Sequence, residues 1–158
     1  MNYETTAEME MAVSYYFGTR RNLIVPNVSW GMFLYEMDLV VLRRDSLYAG
    51  EVEIKVSRSD LKRDQKKNHC HDRNRNMIKC LWFAVPEKLS NCLEFVPERA
   101  GFLTVASGGR VVVVRKPLAN PLARKWSVED ALKLTRLGLL RYWDMKNYML
   151  RNKAAGND

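Results

Sequence analysis

Cysteine is scarce. Cys70, Cys80 and Cys92 are the only three in 158 residues, an odd number with no Cys-x-x-Cys pair, so a disulfide frame or zinc ribbon is not expected and the thiols read as reduced. Histidine is scarcer: His69 and His71 stand two apart around Cys70, on different sides of a helix, and no partner spacing completes a zinc site. No apolar run reaches membrane-spanning length, and Met1 to Phe17 is acidic and interrupted rather than basic then apolar. Neither a membrane span nor a signal peptide is read, and a cytoplasmic location is the expectation. There is no internal repeat and no low-complexity tract. Acids are outnumbered, 18 against 26 Lys and Arg, for a net charge of +8. That balance, with a pI near 9.5, points to a polyanionic partner, nucleic acid before a membrane surface. The length suits one domain over residues 1–153, with a frayed tail over 154–158.

Thr5 or Thr6 can cap a helix over residues 7–17, striped by Met9, Ala12, Val13 and Tyr16 and ended by Gly18. Residues 22–30 read as a first strand, placed at an edge or a bulge by Pro26. Residues 37–43 and 47–56 read as the second and third, the latter bulged at Ala49-Gly50. Ser57 to Asp60 can cap a helix to about residue 74, and the apolar run Cys80 to Val85 reads as a buried strand reached by a right-handed parallel crossover. A short helix after Pro86, a hairpin across Ser107-Gly108-Gly109 and a last helix opened by a Ser127-x-x-Asp130 box complete the order.

The chemistry concentrates between Asp38 and Lys55. In Glu51-Val-Glu-Ile-Lys55-Val the strand period of two sets Glu51, Glu53 and Lys55 on one face and Val52, Ile54 and Val56 on the other, so the second face is expected to pack and the first to stay open. Pairing through the turn near Asp45 brings Asp38 toward the charged face. Carboxylates gathered beside a lysine suggest a hard divalent cation with oxygen ligands, most naturally Mg²⁺. Glu36 would be a second acid on that face if the strand already starts there, or a surface residue at its end.

An Asp followed about fifteen residues later by Glu-x-Lys resembles the PD-(D/E)xK nuclease superfamily, the restriction-endonuclease-like and Holliday-junction-resolvase-like group, in Asp38, Glu53, Ile54 and Lys55. Glu53-Ile-Lys-Val-Ser-Arg-Ser-Asp60, with Trp82-Phe-Ala-Val-Pro86, is similar to its MmcB-like branch, which is associated with DNA repair. Met37 stands where the family name has proline, a position that varies in the family. The resemblance implies an α/β fold with an αβββαβ core and mixed central sheet, to which the hairpin and C-terminal helix are additions. It also implies a nuclease hydrolysing DNA phosphodiester bonds with Mg²⁺, for which Mn²⁺ can substitute. Asp38, Glu53 and the carbonyl of Ile54 would hold the metal. A first-helix acid would assist, Glu8 being favoured and Glu10 the alternative, though either can equally be a helix-start acid favoured by the dipole. Lys55 would orient or deprotonate water and stabilise developing charge. Glu51 would be a rim residue or outer ligand.

After Val56 the chain turns basic. Arg58, Lys62, Arg63, Lys66, Lys67, Arg73 and Arg75 can contact phosphates beside the acidic cluster, as can His69 or His71; a solvated connection is the plainer reading of such a run. Two other functions compete with the nuclease: a non-catalytic DNA-binding or repair-accessory module on the same fold, and an RNA-binding factor stacking bases on Trp30, Phe33 and Tyr35. The last helix carries apolar residues from Leu132 to Met145 over more than one stripe. One side would pack on the sheet and another on a partner subunit, making a homodimer through this helix; complete burial within one chain is the alternative.

Overall fold

The computed structural model describes residues 5–29, 36–66 and 76–155. Helix α1, Thr6–Phe17, begins at a capping box: the Thr5 hydroxyl accepts from the Glu8 N–H and the Glu8 carboxylate accepts from the Thr5 N–H. It ends where Gly18, at φ 82, takes the left-handed conformation and donates back to Ser14 and Tyr15. Strands β1 (Leu23–Val28), β2 (Met37–Leu42) and β3 (Ala49–Ile54) lead to α2, Arg58–Lys66, and then β4, Ile78–Pro86. Two short 3-10 turns over Glu87–Phe95, kinked at Cys92, precede β5 (Gly101–Val105), β6 (Val111–Arg115) and the long α3, Val128–Ala155.

The six strands form one mixed sheet in the order β1-β2-β3-β4-β5-β6. β3, β4 and β5 run parallel, while the β1, β2 and β6 pairings are antiparallel. Pro26 sits in the edge strand, where its missing N–H costs no ladder bond. The register of β3 against β4 shifts between Ala49 and Gly50, the bulge expected there.

Strand alternation assigns the faces. Leu39, Val41, Val52, Ile54 and Ala84 meet Met9, Ala12 and Val13 of α1. On the other face Val25, Val40 and Leu42 meet Trp126 and Leu134 at the start of α3, while Leu81, Phe83 and Phe102 meet Leu61 of α2 and the 3-10 turns. The Trp126 indole N–H donates to the carbonyl of Met77 at 2.8 Å, so the ring is buried without stranding its polar atom. Beyond Arg141, every described side chain of α3 from Tyr142 to Lys153 is exposed.

One expectation fails here. The charged face of β3 is not open, because helices cover both sides of the sheet: Glu51 is fully buried and Glu53 is 6% exposed. Glu51 is therefore no rim residue.

Candidate active site

The ladder between β2 and β3 pairs Leu39 with Val52 and Val40 with Glu51, and one further step sets Asp38 beside Glu53 on the covered face. At that point the side chain takes over from the backbone. Asp38 Oδ2 accepts the Ile54 N–H at 2.8 Å, which fixes the carboxylate at the end of the strand pair. The Lys55 N–H donates to the Ala84 carbonyl at 3.0 Å, pinning the next residue to β4. The Lys55 ammonium, its side chain 11% exposed, then turns into the same space, bonding Glu53 and lying 3.6 Å from Asp38 and 3.5 Å from Asp64.

Asp64 is a member of the cluster that no sequence motif marks. It comes from α2, whose one apolar residue, Leu61, is fully buried and sets the inward side; Asp64 lies three positions on and shares that side. A helix with one apolar residue gives little periodicity to read, yet the Leu61 to Asp64 offset was the available signal. Asp38, Lys55 and Asp64, with Thr6, Ile54, Asp60 and Arg63, line a cavity of about 170 Å³.

The electrostatics follow from this crowding. Burial pushes the Glu53 carboxyl up to about 7; Lys55 pulls it down, and Asp38 and Glu51 push it further up. For Lys55, burial alone would favour the neutral amine, but Glu53, Asp38 and Asp64 outweigh it and raise the group above the ordinary lysine range. Lys55 is a firmly held cation.

The helix acid differs from the favoured expectation. Glu8 is engaged with Thr5 in the capping box that starts α1, because an acid three residues after the cap returns to the cap's N–H. Glu10 is half-buried, and burial first, then the charge of Asp38, raises its carboxyl. Glu10 therefore senses the charge of the cluster. Glu36 is exposed and precedes β2, which starts at Met37.

Among the described residues no three Asp, Glu, His or Cys side chains are placed to hold a metal ion together. The pair Asp38 and Glu53 still suits Mg²⁺, which takes one or two carboxylates and completes its shell with water and substrate phosphate oxygens.

Of the expected phosphate contacts, Arg58, Lys62 and Arg63 are exposed on α2. Arg58 and Lys62 lie over the Phe95 ring at 5.1 and 5.3 Å, Arg58 also pairing with Glu94, while Arg63 pairs with Asp60 at 3.1 Å. The side chain of Lys66, and Lys67, Arg73, Arg75, His69, Cys70 and His71, lie outside the described residues, as do Trp30, Phe33 and Tyr35 of the RNA reading. No described helix is long and apolar enough to cross a membrane.

No family model matches the chain, and no curated protein matches it. Among solved structures it is similar to the SPO1766 protein of unknown function from Silicibacter pomeroyi, with a TM-score of 0.59 and 16% identity over 95% of this chain and 92% of that one. At that identity the likeness shows the α/β fold with its mixed sheet, and the fold alone.

Proposed function

We propose that the chain is a metal-dependent DNA nuclease, hydrolysing phosphodiester bonds in DNA repair, recombination or the processing of mobile DNA. The observation that carries this reading is the meeting of Asp38 and Glu53, from adjacent strands, at the Lys55 ammonium, with Lys55, Asp38 and Arg63 all lining one cavity. Carboxylates outnumber cations there, so the cluster has capacity for a divalent ion. Bound Mg²⁺, held by Asp38 and Glu53, would supply Lewis-acid polarisation of a phosphoryl oxygen and a more acidic water.

The protein's own groups divide the remaining work. Ile54 fixes Asp38 through its N–H. Lys55, held protonated by its acids, orients water and steadies charge developing on the phosphate; taking a proton is the role it is least suited to. Asp64 positions the Lys55 ammonium from α2. Glu10 contributes negative potential beside Asp38 in place of Glu8. Arg58, Lys62 and Arg63 offer an exposed cationic edge for a backbone that the acids would otherwise repel.

One observation favours the accessory reading. Lys55 already engages Asp38, Glu53 and Asp64 within the chain, as a purely structural ion-pair cluster would. A Mn²⁺ titration followed by thermal unfolding separates the two. The nuclease reading expects metal to raise the melting temperature, and Asp38→Ala or Glu53→Ala to abolish the rise. Salt-sensitive DNA binding that survives both substitutions, with no metal response in the wild type, gives the accessory module instead.

A further inference from the structure

The opposite end of the sheet carries a larger recess. Gly50, near the start of β3, and Lys55, just past its end, are roughly 16 Å apart at the rise of an extended strand, and Val41, Gly50 and Trp82 open toward α1, away from the Asp38 face. There the end of α1, the turn after it and the ends of β2, β3 and β4 enclose an open cleft of about 850 Å³. Its cations are Arg20, Arg21, Arg43, Arg44 and Lys79, against the single acid Asp45. Among the described residues only Arg43 of these has a carboxylate partner, Asp45 at 3.2 Å. Arg20, Arg21 and Arg44 are exposed.

The cleft is built rather than incidental. The Asn22 side chain donates to the Phe17 carbonyl at 2.6 Å and accepts the Arg44 N–H at 3.3 Å, tying the turn after α1 to the turn after β2. Lys79 is anchored on the Asn120 carbonyl at 2.9 Å and over the Tyr48 ring at 5.0 Å. Gly50 leaves the floor without a side chain beside the β-bulge. Tyr16, 44% exposed, stands edge-on to Phe17, which in turn stands edge-on to Trp82, so one wall of the basic cleft is aromatic.

Arginine forks match phosphate oxygens, and an aromatic wall matches the flat face of a base. The volume exceeds what inorganic phosphate needs and lies within the range of small-ligand sites. We propose that this cleft binds a nucleotide unit, phosphate against Arg20, Arg21 and Arg44 and base against Tyr16, supplied either as a free mononucleotide or as one residue of a single strand. It does not depend on hydrolysis at Asp38 and Glu53.

Calorimetric titration of the full chain with dAMP, inorganic phosphate and a short deoxyadenosine oligonucleotide tests this. The expected result is that dAMP or the oligonucleotide binds more tightly than phosphate and that Arg20→Ala with Arg44→Ala raises its Kd by about tenfold or more, as loss of charge-assisted contacts does. Tyr16→Ala should weaken the nucleotide and leave phosphate unchanged. Arg110→Ala with Lys116→Ala, an equal loss of exposed charge elsewhere, should leave binding as it was. Binding of dAMP identifies a free nucleotide as sufficient; binding of the oligonucleotide alone, with the same loss in the arginine variant, identifies the strand. The proposal is overturned if neither binds, if phosphate binds as tightly as either, or if the arginine variant behaves like the wild type.

Discussion

Lys55 and Asp64 face each other at 3.5 Å, joining the end of β3 to the inward side of α2 in a place where both are nearly buried. The contact makes the basic helix part of the candidate site's wall. Lys55→Ala leaves Asp38, Glu53 and Asp64 without their shared cation, and removing one partner of a buried pair costs about 3–5 kcal/mol. Urea unfolding should show a loss on that scale for Lys55→Ala, partly recovered by millimolar Mn²⁺. An unchanged midpoint would mean the ammonium contributes nothing to holding α2 on the sheet.

Glu53 gives the metal-free protein a pH dependence of definite sign. Its folded pKa of about 7 lies above the ordinary 4.5, so the fold binds this proton more tightly than the unfolded chain does. The stability it contributes is complete below the ordinary value and is lost as pH climbs through about 7. Unfolding measured across that window should show the decline, and Glu53→Gln should flatten it. A wild type whose stability rises over the same window would contradict the assignment.

The two acids of α1 should separate cleanly. Glu8→Ala removes half of a capping box and is expected to cost about 1 kcal/mol in chemical denaturation without altering the metal response. Glu10→Ala should weaken the Mn²⁺-induced rise in melting temperature while leaving stability without metal largely intact. The reverse pattern would restore Glu8 as the acid that serves the site.

Gly101 is held to its size by Trp82. A Cβ there would meet the indole Cζ3 at 2.6 Å and Pro117 Cδ at 2.9 Å, closer than side chains pack. Gly101→Ala must displace the ring, and overpacking of this kind costs about 1–3 kcal/mol. A shift in tryptophan fluorescence together with a lowered urea midpoint is the expected reading; a midpoint equal to wild type would show that the ring moves freely.

From Leu139 onward α3 exposes Leu139, Leu140, Trp143, Met149 and Leu150, along with charges of both signs, Asp144 against Lys146 and Arg151. Such a surface can be self-complementary about a two-fold axis, and two copies would give a single-site nuclease one centre for each strand. Sedimentation should find a dimer that Trp143→Glu dissociates. A monomer at all concentrations would leave this helix to some other role.

Local signals carried much of the architecture. Thr5 with Glu8, Gly18, and Ser127 with Asp130 mark helix ends by hydrogen bonds that residues a few positions apart make for themselves. Pro26 marks an edge and Gly50 a bulge because each changes what one strand position can do. The nearness of Asp38 to Glu53 and Lys55 also follows from a short-range fact, the turn that pairs β2 with β3. What escaped was tertiary. Glu51 is buried because α2 and α3 cover the second face of the sheet, and alternation within β3 cannot report that cover. Asp64 is turned inward by one leucine, and Glu8 is withdrawn by the cap it completes.

The central claim is most directly tested by incubating the wild type, Asp38→Asn and Lys55→Ala with branched, duplex and single-stranded DNA in Mn²⁺. The account predicts cleavage of at least one of these by the wild type, and a rate about 10²–10³-fold lower in each variant, the usual loss when a group aimed at transition-state charge is removed. Intact DNA in every wild-type lane, or variants that cut as fast as the wild type, would contradict it.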